Sequence, residues 1–250
     1  MAKVFLGIGH GGSDSGAIGN GFREKDLNLS IGLSCRDFLA RHGVEVKMSR
    51  EADVTSSIQK RISQCNAYGP DLALDIHNNA GGGDGAEVYH HYAGGRGKTL
   101  AENILTEMGN IGQNSRGAKV KKNSAGKDYF GFIRQTAAPA VIVECAFVDN
   151  AKDIQIVSTP EKQRAMGFAI ARGVLKTLGV PVLQPGDVNG DGRVDAADAL
   201  LALQDSVNLT QLDGVQRSQA DLNGDGRVDA ADALKMLQKS VSSASSRGVE

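Results

Sequence analysis

The sequence predicts an α/β fold, an open mixed sheet flanked by helices, over residues 1–180. A small all-α module of paired loop–helix units follows over residues 186–241. Three observations carry this. Short apolar runs alternate with stretches of helical periodicity through the first 180 residues. Residues 189–200 and 223–234 then repeat the same twelve letters, NGDGRVDAADAL, 34 positions apart. The charge also divides: residues 181–250 hold 6 Lys/Arg against 11 Asp/Glu, whereas residues 1–180 hold 22 against 18.

In order along the chain, strands are expected at 3–9, 44–50, 71–77, 86–92 and 140–147, with weaker candidates at 118–122 and 130–135. Helices are expected at 24–41, 55–67, 97–111 and 159–178, with Gly43 and Gly179 where helix C-terminal glycines belong. Residues 181–185 read as a short Pro-containing linker between the domains. Apolar-periodic helices follow the repeats at 199–207 and 233–241, and residues 242–250 (SSASSRGVE) read as a frayed tail.

The 250 residues are 40% hydrophobic and 23% charged, which suits a globular chain of one or two domains. Trp is absent and aromatics make up 4%, which argues against glycan stacking and against base stacking on nucleic acid. Cys35, Cys65 and Cys145 are odd in number and widely spaced, so three buried thiols are expected rather than a disulfide framework. No run reaches transmembrane length. Residues 3–9 read as a strand rather than as a signal peptide, so the expectation is a chain that is cytoplasmic until release or already trimmed for export.

The repeated segment has the spacing of a calcium loop. Asp187, Asn189, Asp191, Arg193 (through its carbonyl), Asp195 and Asp198 occupy positions 1, 3, 5, 7, 9 and 12. Asp221, Asn223, Asp225, Arg227, Asp229 and Asp232 do the same in the second copy, and a Gly at position 6 makes the sharp turn. Two structural Ca2+ ions are expected.

In the first domain, His10 and His77 fall at strand ends, where function gathers in α/β sheets. Glu24 opens a helix and Glu144 lies within a late strand. Two His and one Glu make a zinc ligand set with an open fourth position, and a second carboxylate can then serve as base and acid. The spacing is scattered and contains no compact H-E-x-x-H.

Four blocks are more specific: GHGG at residues 9–12, Arg23–Leu29 (REKDLNL), Asp75–Ala80 (DIHNNA) and Pro139–Asn150 (PAVIVECAFVDN). Together they resemble the zinc-dependent N-acetylmuramoyl-L-alanine amidases of type 3, over roughly residues 1–178. The resemblance implies one catalytic Zn2+ on His10, Glu24 and His77, with Glu144 as the catalytic carboxylate. It also implies the reaction: hydrolysis of the amide joining the lactyl group of N-acetylmuramic acid to L-alanine in peptidoglycan, hence action at the bacterial cell wall. Asp75 stands where relatives often have Ser; it either orients a ligand or forms a salt bridge. Asn78 and Asn79 are candidate donors to substrate carbonyls or turn-formers.

The paired loops and helices resemble a type I dockerin over residues 186–241. That resemblance implies a cohesin-type partner bound through Ala196, Ala197, Leu203 and Gln204, or equivalently through Ala230, Ala231, Leu237 and Gln238. Ala-Ala at positions where relatives carry Ser/Thr leaves the partner class open, and a calcium-stabilised spacer is the alternative. For the whole chain, the alternative to an enzyme is a non-catalytic scaffold that uses the dockerin alone.

Two other signals fall away. Gly7-x-Gly9-x-x-Gly12 matches a dinucleotide fingerprint, but no helix opens at the third Gly. His90 and His91 are adjacent in a strand and point to opposite faces, one to the core and one to the surface.

Overall fold

The computed structural model describes residues 1–191 and 193–245. It divides into two compact units, Met1–Val180 and Pro181–Glu250.

The first unit is built on a six-stranded mixed sheet. Its strands are β1 (Lys3–Ile8), β4 (Glu45–Met48), β5 (Leu72–Asn79), β6 (Ala86–His90), β7 (Ser115–Lys119) and β8 (Ala140–Phe147), in the order β4-β1-β5-β8-β6-β7. β4, β1, β5 and β8 run parallel, and β6 is antiparallel to β8. A two-residue ribbon, β2 (Ile18–Gly19) with β3 (Phe22–Arg23), sits in the loop after β1.

The alternation of the strands decides what each face carries. Val4, Leu6, Ile8, Leu74, Ile76, Val141 and Val143 enter one large core with α1 (Glu24–Arg41), α3 (Arg96–Asn110) and α5 (Pro160–Leu178). The intervening residues Phe5, Ala73 and Ala140 form a smaller core with Ile62 and Cys65 of α2 (Ile58–Tyr68) and Phe132 of α4 (Gly131–Gln135). Beyond that cover the second face turns polar: Asp75, His77 and Glu144 follow at the carboxyl ends of β5 and β8.

Helix boundaries have local causes. Ser57 and Thr159 cap α2 and α5 with their hydroxyls, and Gly69 and Gly179 end the same helices in the left-handed conformation, at φ 64° and 73°. All three cysteines are free and buried. His90 is buried, whereas His91 is 43% exposed at its side chain.

Three expectations for this unit are corrected. Residues 130–135 are not a strand: 131–135 form α4, whose backbone bonds close within the segment (Arg134 N–H to the Phe130 carbonyl at 3.1 Å, Thr136 N–H to the Phe132 carbonyl at 3.2 Å) and seat Phe132 in the smaller core. β7 lies at 115–119 rather than 118–122; Gly117 sits in the strand at φ 89° beside a register shift against β6. Asn78 does not face the cleft: it is 2% exposed, and its amide donates to Asn28 Oδ1 at 2.9 Å.

The second unit carries α6 (Ala196–Ser206), α7 (Gly214–Ala220) and α8 (Ala230–Ser245) around a small core of Val188, Ala199, Ala202, Leu212, Ala220, Ala233 and Met236. The repeat helices start three residues before the expected positions. Asp195 caps α6 and exchanges a capping box with Asp198. α8 continues through Ser245, so the expected tail is helical over 242–245, and its remainder, 246–250, lies outside the described residues. Gly192, the expected turn glycine of the first loop, also lies outside them. Its counterpart Gly226 adopts φ 83°. Among the described residues, no helix is long and apolar enough to cross a membrane.

Candidate active site

The loop after β1 presents His10. The residue takes a left-handed backbone, φ 60°, which among non-glycine residues is shared in this chain by Asn20 and Asn208 among the described residues. Arg50, 4% exposed, holds that loop by donating to the carbonyls of Gly9 (3.0 Å) and Lys25 (2.7 Å). Glu24 is the first residue of α1, where a negative charge meets the positive helix end. His77 stands on β5 in register with Glu144 on β8.

These positions converge. His10, Glu24 and His77 each offer a ligand atom, and those atoms lie within 4.8 Å of one another. His10 Nε2 is 3.2 Å from Glu24 Oε2, and His77 Nδ1 is 2.8 Å from Glu24 Oε1. The two imidazoles meet edge to face, with centroids 5.1 Å apart. The Ala17 N–H donates to Glu24 Oε2 at 2.9 Å, and the Asn78 N–H donates to Oε1 at 3.2 Å. The far ring nitrogens are also occupied: His10 Nδ1 lies 2.9 Å from Asp14 Oδ2, and His77 Nε2 lies 3.4 Å from Asp75 Oδ2.

The electrostatics follow from this packing. Burial pushes the Glu24 carboxyl up, but hydrogen bonds from His10 and His77 outweigh it and hold the group well below the usual carboxylate range. Burial pulls His77 down, yet the Asp75 charge and the bonds to Asp75 and Glu24 push it up to about 10. The bond to Glu24 raises His10 as well. Burial, against the opposing charge of His77, pushes Glu144 up to about 7. Glu144 Oε2 is buried and has no hydrogen-bond partner.

The cluster fits a metal of the zinc type on its donor chemistry: two imidazole nitrogens and one carboxylate, presented together from three elements. Room for it is built into the backbone. A Cβ at Gly16 would lie 2.5 Å from Glu24 Oε2, and one at Gly9 would lie 2.2 Å from His77 Cε1. Gly9, read in sequence as part of a nucleotide fingerprint, thus clears space for an imidazole. Asp14, Asn28 and Arg50 support the site and were missed from sequence. Asp14 was open to detection, standing four residues after His10; Arg50 acts only through backbone carbonyls and leaves no motif.

The two acidic loops are near copies. In the first, Asp187 Oδ1 accepts from Gly190 N–H (2.8 Å), Asp191 Oδ1 from Arg193 N–H (2.9 Å) and Asp198 Oδ1 from Val188 N–H (2.8 Å). In the second, Asp221, Asp225 and Asp232 accept from Gly224, Arg227 and Leu222 at 2.7, 2.9 and 2.9 Å. Asn189 and Asn223 brace Asp191 and Asp225 at 3.1 and 2.9 Å. Asp195 and Asp229 accept from Ala197 and Ala231, each at 2.8 Å. Asp198 and Asp232, one in each loop, are 0% exposed, and the carboxylate and amide oxygens of each loop are the donor type that a hard divalent cation takes. On the helices that follow, Ala196, Ala197, Ala230, Ala231 and Gln238 are exposed and Gln204 is partly so. Leu203 and Leu237 match at 38% and 39% exposure, and Leu200 and Leu234, absent from the sequence reading, match at 55% and 56%.

Sheet order and side chains together define a class: an α/β domain whose open sheet face carries a His–Glu–His cluster and a second, raised carboxylate beside it. Comparison with known proteins gives the family. The N-acetylmuramoyl-L-alanine amidase family matches residues 4–176, and the type I dockerin domain matches residues 185–240. The chain belongs to the N-acetylmuramoyl-L-alanine amidase family and carries a type I dockerin domain. The N-acetylmuramoyl-L-alanine amidase CwlM of Bacillus licheniformis is 38% identical over 179 residues, 69% of this chain and 66% of that protein. The sporulation-specific N-acetylmuramoyl-L-alanine amidase of Bacillus subtilis (strain 168) is 35% identical over 178 residues, 70% of this chain and 67% of that protein. The chain thus spans about two thirds of the length of these curated relatives. Among solved structures, Cwp6 from Clostridium difficile has a TM-score of 0.70 at 36% identity, over 71% of this chain and 29% of that one.

Proposed function

We propose that this chain hydrolyses the amide between the lactyl group of N-acetylmuramic acid and L-alanine in bacterial peptidoglycan. His10, Glu24 and His77 hold one zinc ion and Glu144 moves the proton. The observation that carries this reading is the convergence of the three ligand atoms within 4.8 Å beside a carboxylate whose Oε2 is buried and unpartnered. When bound, zinc supplies Lewis-acid polarisation of the scissile carbonyl and brings the pKa of water down to ~7. Glu144 accepts the proton of the attacking water and returns it to the leaving nitrogen as the C–N bond breaks. Burial raises the Glu144 carboxyl above the ordinary carboxylate range in the metal-free cluster, the direction that suits a group which takes up a proton and gives it back. Glu24 cannot share this task, because its two imidazole partners keep it ionised.

The second unit holds two calcium ions, through Asp187, Asn189, Asp191, the Arg193 carbonyl, Asp195 and Asp198, and through Asp221, Asn223, Asp225, the Arg227 carbonyl, Asp229 and Asp232. It docks a cohesin-type partner on the repeated face that includes Leu203 or Leu237. The place of action is the bacterial cell wall.

End-group analysis of digested peptidoglycan tests the enzymatic part. New amino-terminal L-alanine is expected. New reducing sugar ends, or new amino termini of any other residue, would overturn the assignment.

A further inference from the structure

We infer that Asp75, backed by Arg61, is a positioning residue that fixes the ring of His77 with Nδ1 turned to Glu24. This rests on the reading above that His77 holds the metal.

Asp75 precedes His77 by two residues on β5, so both side chains leave the same face of the strand. Its Oδ2 lies 3.4 Å from His77 Nε2, while Nδ1 on the other side of the ring lies 2.8 Å from Glu24 Oε1. A neutral imidazole has one N–H and one lone pair. Giving the N–H at Nε2 to Asp75 leaves the lone pair at Nδ1 for a cation; the other tautomer would point a hydrogen into the site.

The carboxylate is itself held in place. Asp75 is 1% exposed, and Arg61 Nε donates to its Oδ2 at 3.3 Å and forms an ion pair with its Oδ1 at 3.1 Å. Arg61 is 6% exposed, and its Nη1 donates to the Ser56 carbonyl at 2.6 Å. A buried ion pair is a costly way to fill space, and an apolar pair often does as well, so its presence behind His77 asks for a reason beyond packing. The neighbouring strand is shaped for both side chains. Gly7 pairs in register with Asp75, and a Cβ there would lie 2.4 Å from Asp75 Oδ1; a Cβ at Gly9 would strike the His77 ring at 2.2 Å. His10 repeats the arrangement with Asp14, but Asp14 is 61% exposed at its side chain, so the buried, charge-balanced support belongs to His77.

The test uses the full chain and zinc alone. Zinc affinity, measured by competition with a chromogenic chelator, is compared for the wild type, Asp75→Asn and the double variant Asp75→Asn/Arg61→Met, which removes the whole charge pair. Nitrogen-15 NMR of the zinc-loaded wild type reports which nitrogen of His77 carries the proton. The expected results are a proton on Nε2 and a loss of about 10–100-fold in affinity in both variants, with the circular dichroism spectrum retained. A purely structural role would lower the melting temperature and leave affinity within about twofold, and that result, or a proton on Nδ1, would overturn the inference alone. A wild type that takes up no zinc would overturn it together with the reading of the site.

Discussion

Glu144 of β8 stands in register with His77 of β5, on the stretch of sheet face that lies beyond the cover of α2 and α4. Neighbouring parallel strands therefore set a carboxylate beside an imidazole with no loop between them. Both side chains are positioned by the sheet itself, and a strand holds a site more precisely than a loop does.

The raised Glu144 gives a signed prediction for stability in the metal-free protein. An unfolded carboxyl ionises near its ordinary 4.5, whereas the folded one ionises at about 7. Between these values the folded state binds more protons, so this group's contribution to stability falls as pH rises from 4.5 to about 7 and then levels off. Glu144→Gln should therefore melt at a higher temperature than the wild type at pH 8, and the gap should close by pH 4.5. Thermal melts of the two proteins across that range check it; a gap independent of pH would contradict it.

Zinc uptake should release protons. His77, pushed up to about 10, carries a proton in the metal-free cluster at neutral pH, and a protonated nitrogen cannot bind a cation. Apparent affinity should rise with pH through the neutral range, by up to about tenfold per unit for each proton displaced. Calorimetry in buffers of different ionisation enthalpy measures the protons released; a buffer-independent heat would contradict the charge state assigned here.

Much of this site was legible in the sequence, for a physical reason. His10, Glu24, His77 and Glu144 sit at strand ends and a helix start, where the alternation of the sheet fixes direction, and helix 24–41 was recovered with its observed ends. What the sequence hid depends on tertiary context. Residues 130–135 have the apolar look of a strand, yet their backbone bonds close within the segment as a short helix that seats Phe132 in the smaller core. Asn78 reads in sequence as a candidate donor to substrate or a turn-former, but its adjacency to His77 on a strand sends it to the opposite face, against Asn28. Helix α7 has seven residues and little periodicity, and its Asp213–Gln216 capping box was its one readable mark.

Calcium removal should unfold the second unit and spare the first. The carboxylates of each loop repel without a cation, and a core of seven buried apolar side chains among the described residues is too small to hold them together. Chelation of the full chain should remove the helical signal of α6–α8 and leave a separate melting transition for the first unit, with recovery on adding calcium. A circular dichroism spectrum unchanged by chelator would contradict this.

The repeated face predicts two equivalent docking modes. Leu203 and Leu237 are exposed to the same extent on matched helices, so Leu203→Asp or Leu237→Asp alone should weaken cohesin binding by only about twofold. The double variant should weaken it by about 100-fold or more, since a buried unpaired charge then enters either mode. Calorimetric titration of type I cohesins checks the pattern; a single variant as damaging as the double would show one mode.

The most direct test of the central claim is mass spectrometry of the products from purified peptidoglycan treated with zinc-loaded wild type, beside Glu144→Gln. Proton transfer by a positioned side chain contributes about 10²–10⁴-fold to rate, so the variant should be slower by that order while binding zinc as the wild type does. The wild type should release stem peptides with free L-alanine amino termini and leave lactyl carboxylates on the glycan. Intact muropeptides from both proteins, or the same products from both at equal rates, would contradict the roles assigned to the cluster and to Glu144.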